Sequence, residues 1–154
     1  MSEKAQRVKI AYERKPNTLH SFYATKFHDG DEDRANVEAI EKALNKAGIE
    51  ITLMARDVEK WGEAEIPAGK TLMTDYAFPA MEVCDCNIIN FTENGVGLGI
   101  NGGFCYAKGK PIYVIAKTGS DISIRQYCNH SHHQGKTSFP SMAGTSARIY
   151  LVWT

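Results

Sequence analysis

Cys86-Asn87-Ile88-Ile89-Asn90-Phe91 leads into Asn94-Gly95-Val96-Gly97-Leu98-Gly99-Ile100-Asn101-Gly102-Gly103, and Pro111-Ile112-Tyr113-Val114-Ile115-Ala116 follows. The first run has the length and apolar content of a strand. The last is the most strand-like run in the chain. Between them the spacing predicts a glycine-rich turn and a helix through about Lys108, which makes a strand-helix-strand unit. A strand joined to the next through a helix is expected to pair in parallel with a right-handed crossover.

Working outward, the same alternation recurs. Val8-Lys9-Ile10-Ala11-Tyr12 reads as a first strand. Residues 13–32 read as a long polar loop, with a short helix around residues 21–27. Asp33 then caps an amphipathic helix in which Val37, Ile40, Leu44 and Ala47 recur at spacings of three and four, and Gly48 stops it. Residues 49–54 alternate as a second strand, and residues 56–70, with Pro67 and Gly69, read as loop. A helix is expected over residues 71–83, buried on Leu72, Tyr76 and Met81 and disturbed by Pro79. After the quoted stretch come a short helix at residues 121–127, a histidine-rich loop and a strand at residues 147–153. The expected fold is a flavodoxin- or Rossmann-like α/β three-layer sandwich with a five-stranded, mainly parallel sheet. It forms a single domain over residues 1–154. Ligands of such sheets bind outside the carboxyl ends of the strands, here after Tyr12, Met54 and Phe91.

Composition excludes several classes. The 154 residues are 43% hydrophobic, enough for a core rather than a disordered tail. Eighteen Lys and Arg balance eighteen Asp and Glu, so a nucleic-acid polymer, which demands a basic face, is not an expected partner. No apolar stretch approaches the ~20 residues that span a bilayer, and no signal peptide is visible, so no membrane contact and a cytoplasmic location are expected. Cys84, Cys86, Cys105 and Cys128 are then expected as reduced thiols, with Cys84 and Cys86 on one face of a strand. His130, His132 and His133 follow Cys128 in a loop without nearby carboxylates. They read as solvated side chains rather than as metal ligands. Neither a metal nor a cofactor is expected.

The functional residues cluster on the glycine turn. Gly95, Gly97 and Gly99 let a ligand approach the backbone closely, and free N–H groups at a helix start suit phosphate or ribose. Asn90 and Asn94 flank that turn, and Tyr12 and Glu13 end the first strand at the mouth of the expected crevice. The glycine spacing matches neither the dinucleotide fingerprint nor the Walker loop.

The stretch from Asp85 to Asn90, with Gly97-Leu98-Gly99-Ile100-Asn101-Gly102-Gly103 and Gly109-Lys110-Pro111, resembles the nucleoside 2-deoxyribosyltransferase family over roughly residues 71–118. The resemblance implies a nucleoside or nucleotide ligand and a homo-oligomer, a dimer or higher. It also implies transfer or hydrolysis of an N-glycosidic bond. In that family a glutamate attacks the anomeric carbon and expels the base, and a second base or water then takes the sugar. The glutamate column falls on Asn101, nine residues before Lys110. An upstream aspartate column falls on Asp75, and a second acidic column falls on Gly95, beside Glu93 and Asn94. A neutral amide is no nucleophile, so several readings of Asn101 stand side by side. The chain is a catalytically retired nucleotide-binding sensor, or Glu93 acts instead, or the amide was introduced to trap substrate, or Asn101-Gly102 deamidates to a carboxylate. Two structural expectations follow: a strand at residues 111–116 buried on both faces, and an apolar carboxyl-terminal strand covered by a partner subunit.

Overall fold

The computed structural model describes residues 16–28, 30–117, 120 and 152–153. Its elements are β1 (Leu19–Thr25), α1 (Asp31–Lys46), β2 (Ile49–Thr52), α2 (Met54–Asp57), α3 (Phe78–Val83), β3 (Cys86–Asn90), α4 (Val96–Ala107) and β4 (Ile112–Lys117). The fold is mixed α/β with a parallel sheet, ordered β2-β1-β3-β4. Of the fifth strand expected at residues 147–153, Val152 and Trp153 are described, and they pair in parallel with Ala116 and Lys117. Among the described residues the sheet therefore has four full strands rather than the expected five. The chain divides into two compact units, Met1–Phe22 with Phe27–Asp85, and Tyr23–Lys26 with Cys86–Thr154.

In the first unit, α1 follows the apolar spacing of the sequence. Val37 and Ile40 are buried, and Asp31, Glu32 and Asp33 occupy the first turn, where the helix dipole favours negative charge. Gly48 takes the left-handed conformation (φ 76°) that ends the helix, and its carbonyl accepts the Leu19 N–H at 2.9 Å. β1 and β2 then pair from Leu19 opposite Ile49 to Phe22 opposite Thr52.

β1 is the largest correction. The segment read as a polar loop with a short helix around residues 21–27 is a strand, buried from His20 to Ala24. The polar residues that masked it are paired inside. His20 Nε2 and Thr52 Oγ1 are hydrogen-bonded at 2.6 Å, and the His20 N–H donates to Asp85 Oδ2 at 2.9 Å. The Asp85 N–H in turn donates to the His20 carbonyl at 2.8 Å. The strand expected at residues 8–12 lies outside the described residues, as do the helix at 121–127, the histidine loop and residues 147–151 of the last expected strand.

The loop expected at residues 56–70 contains the end of α2 and a 3₁₀ turn at Lys60–Gly62. The helix expected over residues 71–83 is split. Leu72–Ala77 forms a wide π-helical turn, and α3 begins at Phe78. Pro79, without an N–H, cannot donate to the carbonyl four residues back, so regular α-helical bonding fails there.

In the second unit, β3 and β4 pair from Asn87 opposite Ile112 to Asn90 opposite Ile115. All five residues of β3 are buried. β4 instead alternates: Ile112, Val114 and Ala116 are buried, whereas Tyr113 and Ile115 are half-buried. The expectation of complete burial thus belongs to β3 rather than to β4. α4 starts at Val96, earlier than expected, and absorbs most of the glycine run. Leu98, Asn101, Gly102 and Cys105 make its buried stripe. A Cβ on Gly102 would lie 3.3 Å from Ile89 Cδ1, so a glycine at this position lets α4 approach β3 closely.

Candidate functional site

The second unit gathers its polar chemistry at the carboxyl ends of β1, β3 and β4. Tyr23 lies on β1 and is 1% exposed. Its hydroxyl accepts a hydrogen bond from Asn90 Nδ2 at 3.0 Å. Asn90 Oδ1 accepts both the Thr92 N–H at 3.0 Å and the Thr92 hydroxyl at 2.6 Å. Thr92 Oγ1 accepts the Lys117 N–H at 3.1 Å, which ties the turn to the end of β4. Burial raises the Tyr23 hydroxyl above its ordinary value, while hydrogen bonds with Asn90 and Thr25 pull the other way, so Tyr23 stays a phenol near neutrality.

Beside this network, Lys26 Nζ lies 3.1 Å from Glu93 Oε2, with both side chains about half exposed. Glu93 is the only carboxylate side chain among the described residues of this unit. The turn then enters α4 through Gly95, whose backbone is extended and which has no side-chain cap. The first amides of α4 therefore keep the partial positive charge of a helix start, next to an ion pair that faces solvent. A Cβ built on Gly97 meets nothing within 4 Å, so the helix surface is open there.

Of the residues singled out from sequence, Asn90, Glu93, Asn94, Gly95, Gly97, Gly99 and Asn101 all fall in this unit, on the turn and on α4. Gly97 and Gly99 lie within the helix rather than in a loop. Asn101 stands on the buried stripe of α4, 8% exposed, and its Oδ1 has no hydrogen-bond partner among the described residues. Asp75 belongs to the other unit, where its Oδ2 accepts the Thr71 N–H at 2.9 Å and the Thr74 hydroxyl at 3.2 Å. Tyr12, Glu13 and the three clustered histidines lie outside the described residues.

Sequence reasoning missed Tyr23 and Lys26, because both fall in the segment read as loop. Two adjacent aromatics and a β-branched residue in Phe22-Tyr23-Ala24-Thr25 were the available strand signal. Cys84, Cys86 and Cys105 are buried; Cys86 opens β3, while Cys84 sits at the end of α3 rather than on the same strand. Burial pushes the Cys105 thiol up to about 11, so it is no nucleophile at neutral pH. Among the described residues no group of three or more His, Cys, Asp or Glu side chains is placed to hold a metal ion, and no helix is long and apolar enough to cross a membrane.

No known family pattern matches the sequence, and no curated protein matches it. Several solved structures are similar in fold, two of them as follows. One is a conserved protein from Enterococcus faecalis V583, at TM-score 0.50 and 14% identity; the match covers 66% of this chain and 65% of that one. The other is a 2-deoxyribosyltransferase from the psychrotolerant bacterium Bacillus psychrosaccharolyticus. It has a TM-score of 0.52 and 19% identity, and the match covers 69% of this chain and 78% of that enzyme. At these identities the likeness is one of fold, and it agrees with the parallel α/β architecture read from the sequence.

Proposed function

We propose that this chain is a nucleoside 2-deoxyribosyltransferase-like protein that binds a nucleoside or nucleotide at the carboxyl edge of the unit containing β3, α4 and β4. N-glycosidic transfer or hydrolysis, where it occurs, runs through Glu93. The observation that carries this reading is the placement of that carboxylate, held by Lys26 beside an uncapped helix start. The fold similarity to a 2-deoxyribosyltransferase supports the ligand class.

The chemistry asks for a carboxylate oxygen that bonds to the anomeric carbon while the bond to the base nitrogen breaks. The base takes up a proton from water as it leaves, and a second base or water then displaces the carboxylate from the sugar and gives its proton back to solvent. Asn101 has the shape of a carboxylate but no charge, so in this reading it does not take the nucleophile's part.

Incubation with deoxynucleosides and a second free base, with released base followed by chromatography, tests the reading. Glu93→Gln should lower release by at least about a thousandfold, the scale of losing a nucleophile. Asn101→Glu should leave release within about threefold of the parent if Glu93 carries the step. A rise of a hundredfold or more in Asn101→Glu, with Glu93→Gln unchanged, moves the nucleophile to position 101. Absence of nucleoside binding in the parent defeats the ligand class altogether.

A further inference from the structure

We propose that Asn90 is a positioning residue: its amide, oriented by Thr92 and anchored to Tyr23, holds the turn between β3 and α4 and so sets where the Glu93 carboxylate points. The proposal deepens the functional reading above and rests on it for its kinetic consequences.

The hydrogen bonds admit one orientation of the amide. Thr92 offers two protons, from its N–H and its hydroxyl, and both go to Asn90 Oδ1. Reversing the amide would set its NH₂ against the Thr92 N–H, donor against donor. Asn90 Nδ2 is left to donate to the Tyr23 hydroxyl. With its own proton spent on Asn90, Thr92 Oγ1 still has a lone pair for the Lys117 N–H. One side chain on β3 thereby links β1, the turn and the end of β4, and Glu93 is the next residue along the chain. The network is buried at Tyr23 and Asn90, whereas Glu93 is about half exposed. The turn is thus fixed from inside while its carboxylate stays accessible. A side chain needed for packing alone would not require this donor and acceptor pattern.

The chemistry also supplies a rescue. Aspartate at position 90 would still accept both Thr92 protons with one oxygen, and its second oxygen would accept the Tyr23 hydroxyl proton. Asn90→Asp therefore keeps the network only while Tyr23 has its hydroxyl.

The test combines amide hydrogen exchange at Thr92 and Lys117 with kcat and KM for base release from a deoxynucleoside. Asn90→Ala should speed exchange at both amides at least about tenfold, the effect of removing a buried hydrogen-bonding partner. It should lower kcat about a hundredfold with KM within about threefold, the signature of a misplaced reacting group. Asn90→Asp should recover at least about a third of parental kcat, and adding Tyr23→Phe should abolish that recovery. If Asn90→Ala does not fold, Tyr23→Phe alone, which removes one hydroxyl, should lower kcat about tenfold.

Faster exchange with unchanged kcat would show that the network holds the turn without aiming Glu93, and would overturn the proposal. Unchanged exchange at Thr92 would overturn it at its root. A parent that neither binds a nucleoside nor releases base defeats the functional reading instead, and the claim that Asn90 holds the turn still stands or falls on the Thr92 exchange rate.

Discussion

The turn after β2 and the turn after β3 both leave the carboxyl end of a parallel strand, yet they are secured by opposite means. After β2, Asp57 Oδ2 accepts the Leu53 N–H at 2.9 Å. Arg56 donates to Asp57, Glu41 and the Ile51 carbonyl, so its charge is met from three sides. Burial alone would lower the Arg56 pKa; the two carboxylates overcome that penalty and hold it raised. After β3 the fastening is neutral, built from Asn90, Thr92 and the Tyr23 hydroxyl. The charges there, Lys26 and Glu93, stand outside the fastening and face solvent. Where charged groups close a turn, little of their charge is left for a ligand. Where neutral groups close it, the charges stand at the surface as an exposed ion pair.

The largest expected effect away from the proposed chemistry is at Arg56. Arg56→Met should destabilise the protein by about 2 kcal/mol in urea titration, because it strands Asp57 and Glu41. That is less than the ~3–5 kcal/mol of a fully buried pair, since about a quarter of each side chain remains in water. Base release by the folded fraction should be unchanged. A loss of turnover without a loss of stability would break the contrast between the two turns.

Next in size is a pH effect on the α4 side. Cys105 is pushed from the ordinary 9.0 up to about 11 by burial and the nearby Cys86, with Lys110 and a hydrogen bond with Asn87 opposing. Between those values the unfolded chain has lost the thiol proton that the folded chain retains. Unfolding free energy should therefore fall as pH rises from about 9 to about 11, by on the order of 2 kcal/mol. Below pH 9 this contribution is fully present. Urea titrations of the parent and Cys105→Ala at pH 8 and 10.5 would measure it; an identical pH slope in both proteins would contradict the assignment.

The smallest effects separate the glycines. A Cβ on Gly103 or on Gly97 meets nothing within 4 Å. Either alanine should stabilise α4 by about 0.5–1 kcal/mol, the usual gain of glycine to alanine at a compatible helical position. Gly103→Ala should leave nucleoside affinity alone. Gly97→Ala, in the first turn beside the proposed site, should weaken affinity severalfold by calorimetry while raising the thermal midpoint. Equal affinity in both variants would place the ligand away from the start of α4.

Legibility followed the way each segment met its hydrogen bonds. α1 could be read because its apolar residues recur at helical spacing and its ends have acidic residues and Gly48. β3 and β4 could be read because β-branched runs of that length have few alternatives. β1 could not, because His20, Ser21 and Thr25 look solvent-facing until Thr52 and Asp85 are brought beside His20. The glycine run misled differently. Its composition resembles a loop, yet the backbone from Val96 is helical, and tertiary packing against Ile89 uses the missing side chain of Gly102.

The alternating α/β order, the parallel pairing and the absence of a carboxylate at position 101 follow from residue order alone. Those properties are local: periodicity, connection length and residue identity are present before the chain folds. Long-range packing settled that β1 is residues 19–25, that Asn101 is on a buried stripe, and that Lys26 meets Glu93 across 67 positions. It also decided that the Asn90 amide turns inward to Tyr23 and Thr92. These depend on which groups satisfy each other's hydrogen bonds and charges once water is excluded, and residues so distant in the chain have no local pattern that records the pairing.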